Sequence, residues 1–393
     1  MSAATSGAGA IVLDARYVRE RPSGIGVMVD ELVRRLPRLL PTETFVFLRH
    51  PRARSPLSDA PNATDFEWSA EANGPATLFG AATLAPVRTA ALYLGPFNLL
   101  PFGLRCASIV TVHDLMWLDS PELCRSAGLW GGVETAFYGA GIRSALRSAT
   151  ALLAPSHATK AAIAARSPEA GARTTVVPHG VDDAFLQAGA TALEPAAQAA
   201  VRTRYVPGAR RYVLTVGQAA GYKNHRGVVK AFAQAFPGAE EGTHLVLVQR
   251  LGDGSKDLLG LADLLGLRGR VHVLATVPFA DLVRLYQGAL CLCHPSFVEG
   301  WGMPLTEAMA AGCPVLTSST SCMPEVTAGA AELVDPRSVA SIAKGLRCLG
   351  SDEARRSELR TAGLARAREL SWARHAEQTA HAIAGILSPP RPR

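Results

Sequence analysis

Two glutamates separated by seven residues enclose a glycine-rich turn and form the densest chemical signal in the sequence. They are Glu299 and Glu307, in a segment that reads FVEGWGMPLTEAMAAGCP over residues 297–314. Pro304 suits the first position of a helix and Gly312 suits its C-terminal cap, so a short helix is predicted directly after the turn. Carboxylates accept hydrogen bonds from hydroxyl groups, so this pair predicts a site for a polyol ligand.

The turn between the two glutamates also suits an anion. Gly300 and Gly302 let the backbone approach a ligand closely. Free amides at the start of a helix donate to hydroxyl or phosphate oxygens. A structural alternative stays open, in which the segment is only a tight strand-to-helix turn and Glu307 is stabilised by the positive end of the helix.

A lysine follows the first apolar run of the second half of the chain. The run ends at Val216, and Gly217, Gln218, Lys223 and Asn224 come after it. Asn224 predicts a helix N-cap, which places Lys223 beside the amides of a helix N-terminus. A cation next to such amides is the arrangement expected around a diphosphate. The alternative is a solvated lysine in a loop.

The first half of the chain places histidines after two predicted strands. His113 can donate, accept or carry charge near neutral pH, and Asp114 suits orienting it. His179 follows the last strand of this half. A structural role is open for both histidines. Gly24 and Gly26, after the first strand, are expected in a flexible loop that faces an anion.

Short apolar runs that alternate with helix-like segments position these residues. This pattern is typical of a parallel sheet covered by helices on both faces, with ligands at the carboxyl ends of the strands. The 393 residues suffice for two domains. We therefore predict an α/β fold with two doubly wound, Rossmann-like domains that face a cleft. The predicted strands are Ala10–Ala15, Thr44–Leu48, Ala90–Leu94, Ala107–Val112, Ala149–Ala154, Thr174–Val177, Tyr212–Val216, Leu245–Gln249, Val271–Leu274, Leu290–His294, Pro314–Thr317 and Ala331–Val334.

The domain boundary is predicted from a change in composition. An Ala-rich segment and the turn Pro207–Gly208 favour a linker over residues 191–209, between a first domain at 1–190 and a second at 210–371. The last helical pattern, within 372–393, is a candidate for packing back on the first domain. The Pro/Arg tail after it is expected to fray.

Composition and charge exclude several classes of protein. With 48% hydrophobic and 19% charged residues, the chain is neither disordered nor fibrous. The net charge is +7, without a dense basic block, so nucleic-acid binding is not favoured. Such a mildly basic surface still suits anionic small molecules or an anionic membrane face.

Cysteine usage and hydropathy predict a cytoplasmic protein. The seven cysteines are odd in number and scattered, which is typical of reduced thiols. The N-terminal residues lack a basic region followed by a long apolar stretch, so no signal peptide is expected. The apolar segment Leu78–Phe102 is interrupted by Arg88 and three prolines, so it is not expected to span a membrane.

Taken together, these segments resemble the retaining GT-B glycosyltransferases of family 4, also called group 1 glycosyltransferases. The resemblance covers most of the chain. Its most specific part is the paired-glutamate segment, and the others are SGIG, TVHDL, APSHATK, VVPHGVD and VG followed by YKN.

The resemblance implies a catalytic and a donor-binding set. Glu299 would contact the donor sugar, Lys223 would neutralise the diphosphate, and His113 would lie beside the sugar and the acceptor. Glu307 would bind the ribose of the nucleotide. The remaining donor-binding residues would be Gly24, Gly26, Gly217, Gln218, Val277, Gly300 and the backbone amides of Trp301, Gly302 and Met303.

One departure from the family pattern affects the donor. Many members carry an arginine five residues before the lysine, where this chain has Gln218. Members with a neutral residue there resemble mannosyltransferases of polysaccharide assembly, so GDP-mannose is the favoured donor. The resemblance also implies retention of configuration. Because no Asp-x-Asp motif and no metal-ligand spacing occur, we expect neither a metal nor another cofactor.

Two other functions fit the same scaffold. A sugar-nucleotide epimerase or phosphorylase would use the same donor site, and an epimerase would act without an acceptor. A non-catalytic protein that binds sugar nucleotides would show neither hydrolysis nor transfer.

The acceptor is expected to be a glycan or a lipid-linked glycan, bound by the first domain around Asp119–Gly132. The predicted helix Gly128–Arg147 carries apolar and basic side chains that suit a membrane-associated acceptor at the inner membrane face. Packing of this helix in the core is the favoured alternative. The side chains concerned are Arg125, Leu129, Trp130, Val133, Phe137, Tyr138, Arg143 and Arg147.

Overall fold

The structure is a computed structural model that describes residues 9–20, 23–125, 128–191, 194–238, 242–249 and 254–388. Residues 1–8, part of the segment in which no signal peptide is expected, and residues 389–393, in the tail that is expected to fray, lie outside this range. The described residues form two compact units. The first comprises those within Met1–Gly180 and Trp372–Arg393, and the second those within Val181–Ser371.

The first unit is built on a parallel sheet. Within its described residues seven strands run in the order β3-β2-β1-β4-β5-β6-β7. Most of the strands are apolar, and Ile11, Val12 and Leu13 of β1 are fully buried. The strands are β1 (Ile11–Asp14), β2 (Phe45–Arg49), β3 (Ala63–Glu67), β4 (Leu92–Gly95), β5 (Ala107–Thr111), β6 (Ala151–Ala154) and β7 (Thr174–Val176).

Helices connect these strands and cover the sheet. The longest helix packs closely, because a Cβ at its Gly141 would lie 2.3 Å from Leu99 Cδ2. The helices are α1 (Gly24–Leu39), α2 (Pro75–Gly80), α3 (Ala85–Arg88), α4 (Met116–Asp119), α5 (Leu129–Ser148), α6 (His157–Arg166) and α7 (Pro168–Ala172), with short 3-10 helices at Ala81–Thr83 and Pro121–Leu123.

The second unit repeats this design with six parallel strands among its described residues, in the order β10-β9-β8-β11-β12-β13. Its core includes Phe232, Leu245 and Ile342. The strands are β8 (Arg211–Val216), β9 (Thr243–Val248), β10 (Val271–Leu274), β11 (Cys291–His294), β12 (Val315–Ser318) and β13 (Ala331–Val334). The helices are α8 (Asp183–Ala190), α9 (Pro195–Tyr205), α10 (His225–Ala235), α11 (Gly254–Leu264), α12 (Phe279–Gly288), α13 (Met303–Ala310), α14 (Met323–Thr327), α15 (Val339–Ser351) and α16 (Glu353–Arg368), with a 3-10 helix at Gly221–Lys223.

The predicted fold class is confirmed, since both units are doubly wound parallel α/β structures. All twelve predicted strands are present, with ends that differ by at most two residues. Strand β3 was not among the predicted strands. Its sequence ATDFE is largely polar and its residues are half-buried or exposed, because β3 lies at the edge of the sheet.

The second unit begins at Val181, earlier than the predicted domain start at residue 210. Residues 191–209, predicted as a linker, contain α9, whose Tyr205 Oη donates to Asp281 Oδ2 of α12 at 2.6 Å. Helix α8 packs tightly on α13, since a Cβ at Gly189 would lie 2.0 Å from the Ala310 carbonyl oxygen. The small residues of this Ala-rich stretch thus let its helices pack closely against their neighbours. Residues 192–193 lie outside the described range.

The last helix, α17 (Trp372–Leu387), belongs to the first unit although it follows the second in the chain. It packs against α1. Its His375 Nδ1 lies 3.0 Å from the carbonyl oxygen of Pro178.

Candidate active site

Lys223 and Glu299 form a buried ion pair in the second unit, with Nζ donating to Oε1 at 2.6 Å. Each residue is 8% exposed. They follow β8 and β11, which are neighbours in the sheet, so the carboxyl ends of these strands bring the two loops together. A backbone bond from the amide of Phe297 to the carbonyl of Tyr222, at 2.8 Å, joins the loops directly.

Glu299 accepts several hydrogen bonds on one oxygen. Besides Lys223, Ser296 Oγ donates to Oε1 at 2.8 Å, and His294 Nε2 lies 2.9 Å from it. Burial alone would raise the pKa of this carboxyl, but Lys223 and His294 lower it to about 2. Glu299 is therefore ionised at neutral pH. All three contacts from described side chains fall on Oε1, which leaves Oε2 as the oxygen that can accept from a ligand.

The backbone of Glu299 is held as well as its side chain. The amide of Glu299 donates to Ser321 Oγ at 3.2 Å, and this hydroxyl donates to the Glu299 carbonyl at 2.8 Å. Ser321 itself has a left-handed φ of 57°. Both ends of the carboxylate-bearing residue are therefore fixed before any ligand is present.

Gly217 accommodates the side chain of Lys223. A Cβ at Gly217 would lie 3.3 Å from Lys223 Cδ and 3.4 Å from Cε, so a larger residue would displace the lysine stem. Lys223 Nζ also lies 5.0 Å from the ring centroid of Tyr222. Gln218 is exposed in the loop between β8 and the 3-10 helix.

Asn224 occupies the predicted N-cap position of α10, but its side chain does not cap the helix. Its φ of 56° is left-handed. Its Nδ2 donates to the carbonyls of Pro295 and Pro336 at 3.1 and 2.8 Å. The side chain therefore ties the lysine loop to two other loops at the carboxyl end of the sheet.

The turn after Glu299 leads into α13 as predicted. Gly302 is the N-cap residue and has a φ of 85°, a left-handed conformation that favours glycine. A glycine has no side chain to cap the first amides of the helix. Gly300 and Trp301 are buried in the turn, and Met303 is half-buried at the first position of α13.

Glu307 lies one turn into α13 and has a separate partner. Tyr286 Oη of α12 donates to its Oε2 at 2.7 Å. Burial raises the pKa of Glu307 and Asp182 raises it further, whereas the Tyr286 hydroxyl and Lys223 lower it. Val277 is half-buried in the loop after β10, which is the edge strand and is separated from β8 by β9.

His113 lies at the carboxyl end of the first unit's sheet, directly after β5 and Val112. Its Nε2 is 2.8 Å from the Pro96 carbonyl, and its amide donates to Asn98 Oδ1 at 2.7 Å. Because a carbonyl only accepts, Nε2 carries the proton of the neutral ring and Nδ1 is the acceptor. Burial lowers the pKa of His113 to about 4, so the ring is neutral at pH 7.

Asp114 and His179 also lie in this region of the first unit. Asp114 does not serve as the expected partner of the His113 ring, since its Oδ1 accepts from the amide of Met116 at 2.9 Å. His179 is buried, and its ring centroid lies 5.4 Å from that of His113 and 5.2 Å from that of His375. Burial and these two histidines lower the pKa of His179 well below its usual range.

Gly24 and Gly26 lie in the first turn of α1 instead of in a flexible loop, which corrects the expectation from the sequence. Ser23 is the N-cap, and its Oγ accepts from the Gly26 amide at 3.1 Å. This serine cap explains the difference, because it starts the helix before the two glycines.

Helix α5 starts with an exposed apolar surface. Leu129, Trp130 and Val133 are 96%, 66% and 54% exposed. Further along, Tyr138 stacks on Trp117 with ring centroids 4.4 Å apart, and Ile142 is fully buried. Packing in the core, the favoured alternative, therefore applies only to the later turns of α5. Residues 126–127 of the expected acceptor region lie outside the described range.

Among the described residues, no group of three or more His, Cys, Asp or Glu side chains is arranged to hold a metal ion. None of the described helices combines the length and the apolar character needed to cross a membrane.

Sequence reasoning missed the residues that support the predicted ones. Tyr286 contacts Glu307, while His294 and Ser296 contact Glu299. His225 Nδ1 lies 2.5 Å from Gln249 Nε2 beside the lysine loop. The position of His294 at the end of an otherwise apolar strand was the one available signal.

Comparisons with known proteins find a family and relatives that are similar in sequence. Residues 202–366 match the family model of Glycosyl transferases group 1. A segment of 172 residues is 33% identical to O-antigen chain mannosyltransferase B of Escherichia coli and covers 44% of this chain and 45% of that protein. A segment of 125 residues is 32% identical to O-antigen chain mannosyltransferase RfbU of Salmonella typhimurium and covers 32% and 34% of the two chains. The two matches thus span less than half the length of these relatives. Together with the family model they confirm the resemblance to group 1 glycosyltransferases.

Solved structures match the fold over nearly the whole chain. A glycosyltransferase from Rickettsia africae has a TM-score of 0.71 at 13% identity, covering 98% of this chain and 100% of that chain. HepE of Anabaena, solved in complex with UDP and glucose, has a TM-score of 0.71 at 18% identity, covering 96% and 100%. The GT-B fold class is therefore confirmed.

Proposed function

We propose that the protein is a retaining hexosyltransferase of glycosyltransferase family 4. It transfers a hexose, with mannose favoured, from a nucleotide diphosphate sugar to a glycan or a lipid-linked glycan in polysaccharide or cell-envelope assembly. GDP-mannose is the favoured donor. The observation that carries this proposal is the contact between Lys223 and Glu299, because both residues lie in the segment that matches group 1 glycosyltransferases.

The relatives support the proposed sugar and the proposed role in polysaccharide assembly. The E. coli and Salmonella proteins are both named O-antigen chain mannosyltransferases. Gln218 is compatible with this reading, since its neutral side chain leaves Lys223 as the main cation for the diphosphate.

Transfer requires the nucleotide diphosphate to leave from an oxocarbenium-like sugar, so stabilisation of negative charge on the phosphate is the main catalytic task. In the proposed mechanism, Lys223 Nζ and the first amides of α13 bind the diphosphate. Glu299 accepts from a sugar hydroxyl through Oε2, and Glu307 accepts from the ribose. The acceptor hydroxyl attacks on the face of the leaving group and gives its proton to the departing phosphate, which retains the anomeric configuration.

The remaining predicted residues have supporting parts in this proposal. The neutral His113 ring offers Nδ1 as an acceptor to the sugar or the acceptor hydroxyl. Gly217, Gly300, Trp301, Gly302 and Met303 shape the donor loops, and Val277 contacts the base. We propose that Lys223 and the helix amides replace a divalent cation, so that transfer needs no metal.

The exposed start of α5 supports an acceptor at the cytoplasmic face of a membrane. Leu129, Trp130 and Val133 are apolar and exposed there, and Arg125, Arg143 and Arg147 are exposed on or near the same helix. Apolar side chains flanked by arginines bind the interface of an anionic bilayer.

The test is a thermal-shift screen of the full chain with GDP- and UDP-sugars, followed by transfer assays. A ligand that binds only the folded state raises its Tm, and GDP-mannose should give the largest shift. Incubation with GDP-mannose and lipid-linked glycan should give an α-mannosyl product, with the same rate in EDTA. Conversion of the sugar nucleotide without acceptor would indicate an epimerase, and binding without either reaction would indicate a non-catalytic protein.

A further inference from the structure

His294 differs from the other side chains that contact Glu299 Oε1, because only an imidazole has an ordinary pKa near neutral pH. It is the last residue of β11 and is 2% exposed. Its Nε2 lies 2.9 Å from Glu299 Oε1 and 3.2 Å from Ser296 Oγ. The charge of this ring therefore acts directly on the carboxylate that is proposed to hold the sugar.

The hydrogen bonds of the ring suit its protonated form. Nε2 faces two oxygens, Glu299 Oε1 and Ser296 Oγ, and the carboxylate oxygen only accepts. A neutral ring that holds its one proton on Nδ1 presents a lone pair to this carboxylate. A protonated ring always donates from Nε2 and adds the attraction between opposite charges. The main chain of Val216 also raises the pKa of the ring.

Neighbouring charges decide whether this proton is held. Burial and Lys223 lower the pKa of His294, whereas Glu299 raises it. His225 faces the same cluster from the start of α10, and the thiol of Cys322 faces Glu299 from the loop after β12. While Lys223 neutralises Glu299, the carboxylate stabilises a second positive charge on His294 only weakly.

We propose that His294 is a positioning residue that binds a proton when a diphosphate engages Lys223. The inference rests on the proposed function, because it requires a diphosphate at this lysine. Lys223 is then shared between the diphosphate and Glu299, so its positive charge no longer fully neutralises the carboxylate. A proton from solution binds Nε2 of His294, which donates to Oε1 and keeps Oε2 directed at the sugar.

Two variants separate the hydrogen bond that His294 donates to Glu299 from the change in charge of its ring. His294→Gln keeps a side-chain N–H that can donate to Glu299 but cannot change charge near neutral pH. His294→Phe keeps an aromatic ring and loses both properties. A circular-dichroism melt shows whether each variant is folded.

The first experiment measures binding of GDP-mannose by isothermal titration calorimetry between pH 6 and 8, in buffers that differ in ionisation enthalpy. Wild type should take up close to one proton per donor, with a Kd that rises by up to about tenfold per pH unit. His294→Gln should bind with no proton uptake and no such pH dependence, and His294→Phe should also lose kcat. A wild type that binds without proton uptake, or a His294→Gln variant that still takes up a proton, would overturn the inference.

The second experiment needs no donor and tests the charge coupling alone. Lys223→Gln removes the competing cation, so NMR titration of histidine Cε1–H signals should show a higher pKa for His294 than in wild type. The signal is assigned by its loss in the Lys223→Gln/His294→Gln double variant. An unchanged pKa of His294 would refute the inference. If the pKa of His294 is raised in Lys223→Gln but wild type binds none of GDP-mannose, GDP and UDP, the proposed function is refuted instead.

Discussion

Replacing Glu299 by glutamine should destabilise the second unit by about 3 kcal/mol at pH 7. Burial opposes ionisation of this carboxyl, yet Lys223 and His294 bring its pKa from the ordinary 4.5 to about 2. At about 1.36 kcal/mol per pH unit, this difference corresponds to about 3 kcal/mol. Breaking a buried ion pair from one side costs about 3–5 kcal/mol, which agrees in size.

The pH dependence of this effect has a definite sign. A carboxyl whose pKa is lower in the folded than in the unfolded state stabilises the fold fully above the unfolded value. For Glu299 the contribution is present above pH 4.5 and is lost as the pH falls toward about 2. The stabilities of wild type and Glu299→Gln should therefore converge over this window.

The assay must report on the second unit separately, because the chain has two units. Hydrogen-exchange mass spectrometry during a urea titration does so when read on peptides that cover β11 and α13. Asp257→Asn is the matched control, since Asp257 pairs with Arg226 on the surface of the same unit, with both side chains more than half exposed. It should cost about 0–1 kcal/mol. A Glu299→Gln effect no larger than this, or one equal at pH 7 and pH 3, would contradict the reasoning.

Four further predictions concern activity and binding. Lys223→Ala should lower kcat for transfer by about 10²-fold or more, whereas Lys230→Ala, on the exposed side of α10, should not; equal rates for both would refute the role of Lys223. Tyr286→Phe removes the hydroxyl that lowers the pKa of Glu307, so donor KM should rise by about 3- to 10-fold, more at pH 5 than at pH 8, with kcat unchanged; a pH-independent KM would argue against it. Because burial lowers the pKa of His113 to about 4, its ring stays neutral between pH 6 and 8. Any inflection of kcat in this range should therefore remain in the His113→Gln variant, and an inflection that this variant loses would contradict the prediction. Leu129→Ser/Trp130→Ser should reduce sedimentation with anionic lipid vesicles without changing Tm, and Leu264→Ser, at a side chain 87% exposed in the second unit, should leave sedimentation unchanged.

Much of the fold could be predicted because the strands are nearly continuous apolar runs. Val271–Leu274 and Ala331–Val334 have the predicted bounds. The meeting of Lys223 and Glu299 also follows from the pattern, since both residues come directly after strands and the carboxyl ends of parallel strands share one edge. Strand β3 could not be found in this way, because an edge strand keeps polar residues that resemble those of a loop.

The side chains that hold the site residues in place make contacts that no local sequence pattern predicts. The three contacts on Glu299 Oε1 require that β8 and β11 are neighbours and that a strand-end histidine turns toward the following loop. Similarly, the Ala-rich stretch resembles a linker in sequence, because the packing of α8 on α13 cannot be read from the local pattern. The cap at Ser23 shows the opposite case, because a serine before two glycines is a local helix-start signal that the glycines obscured.

The place of α17 in the chain has a consequence for synthesis on the ribosome. The second unit is one continuous stretch, so all of it leaves the ribosome before α17 does. The first unit needs α17 to cover α1 and to supply the partner of the Pro178 carbonyl. The first unit, although its synthesis begins first, is thus completed only after the second unit, and until α17 has emerged it exposes apolar surface that a chaperone could bind.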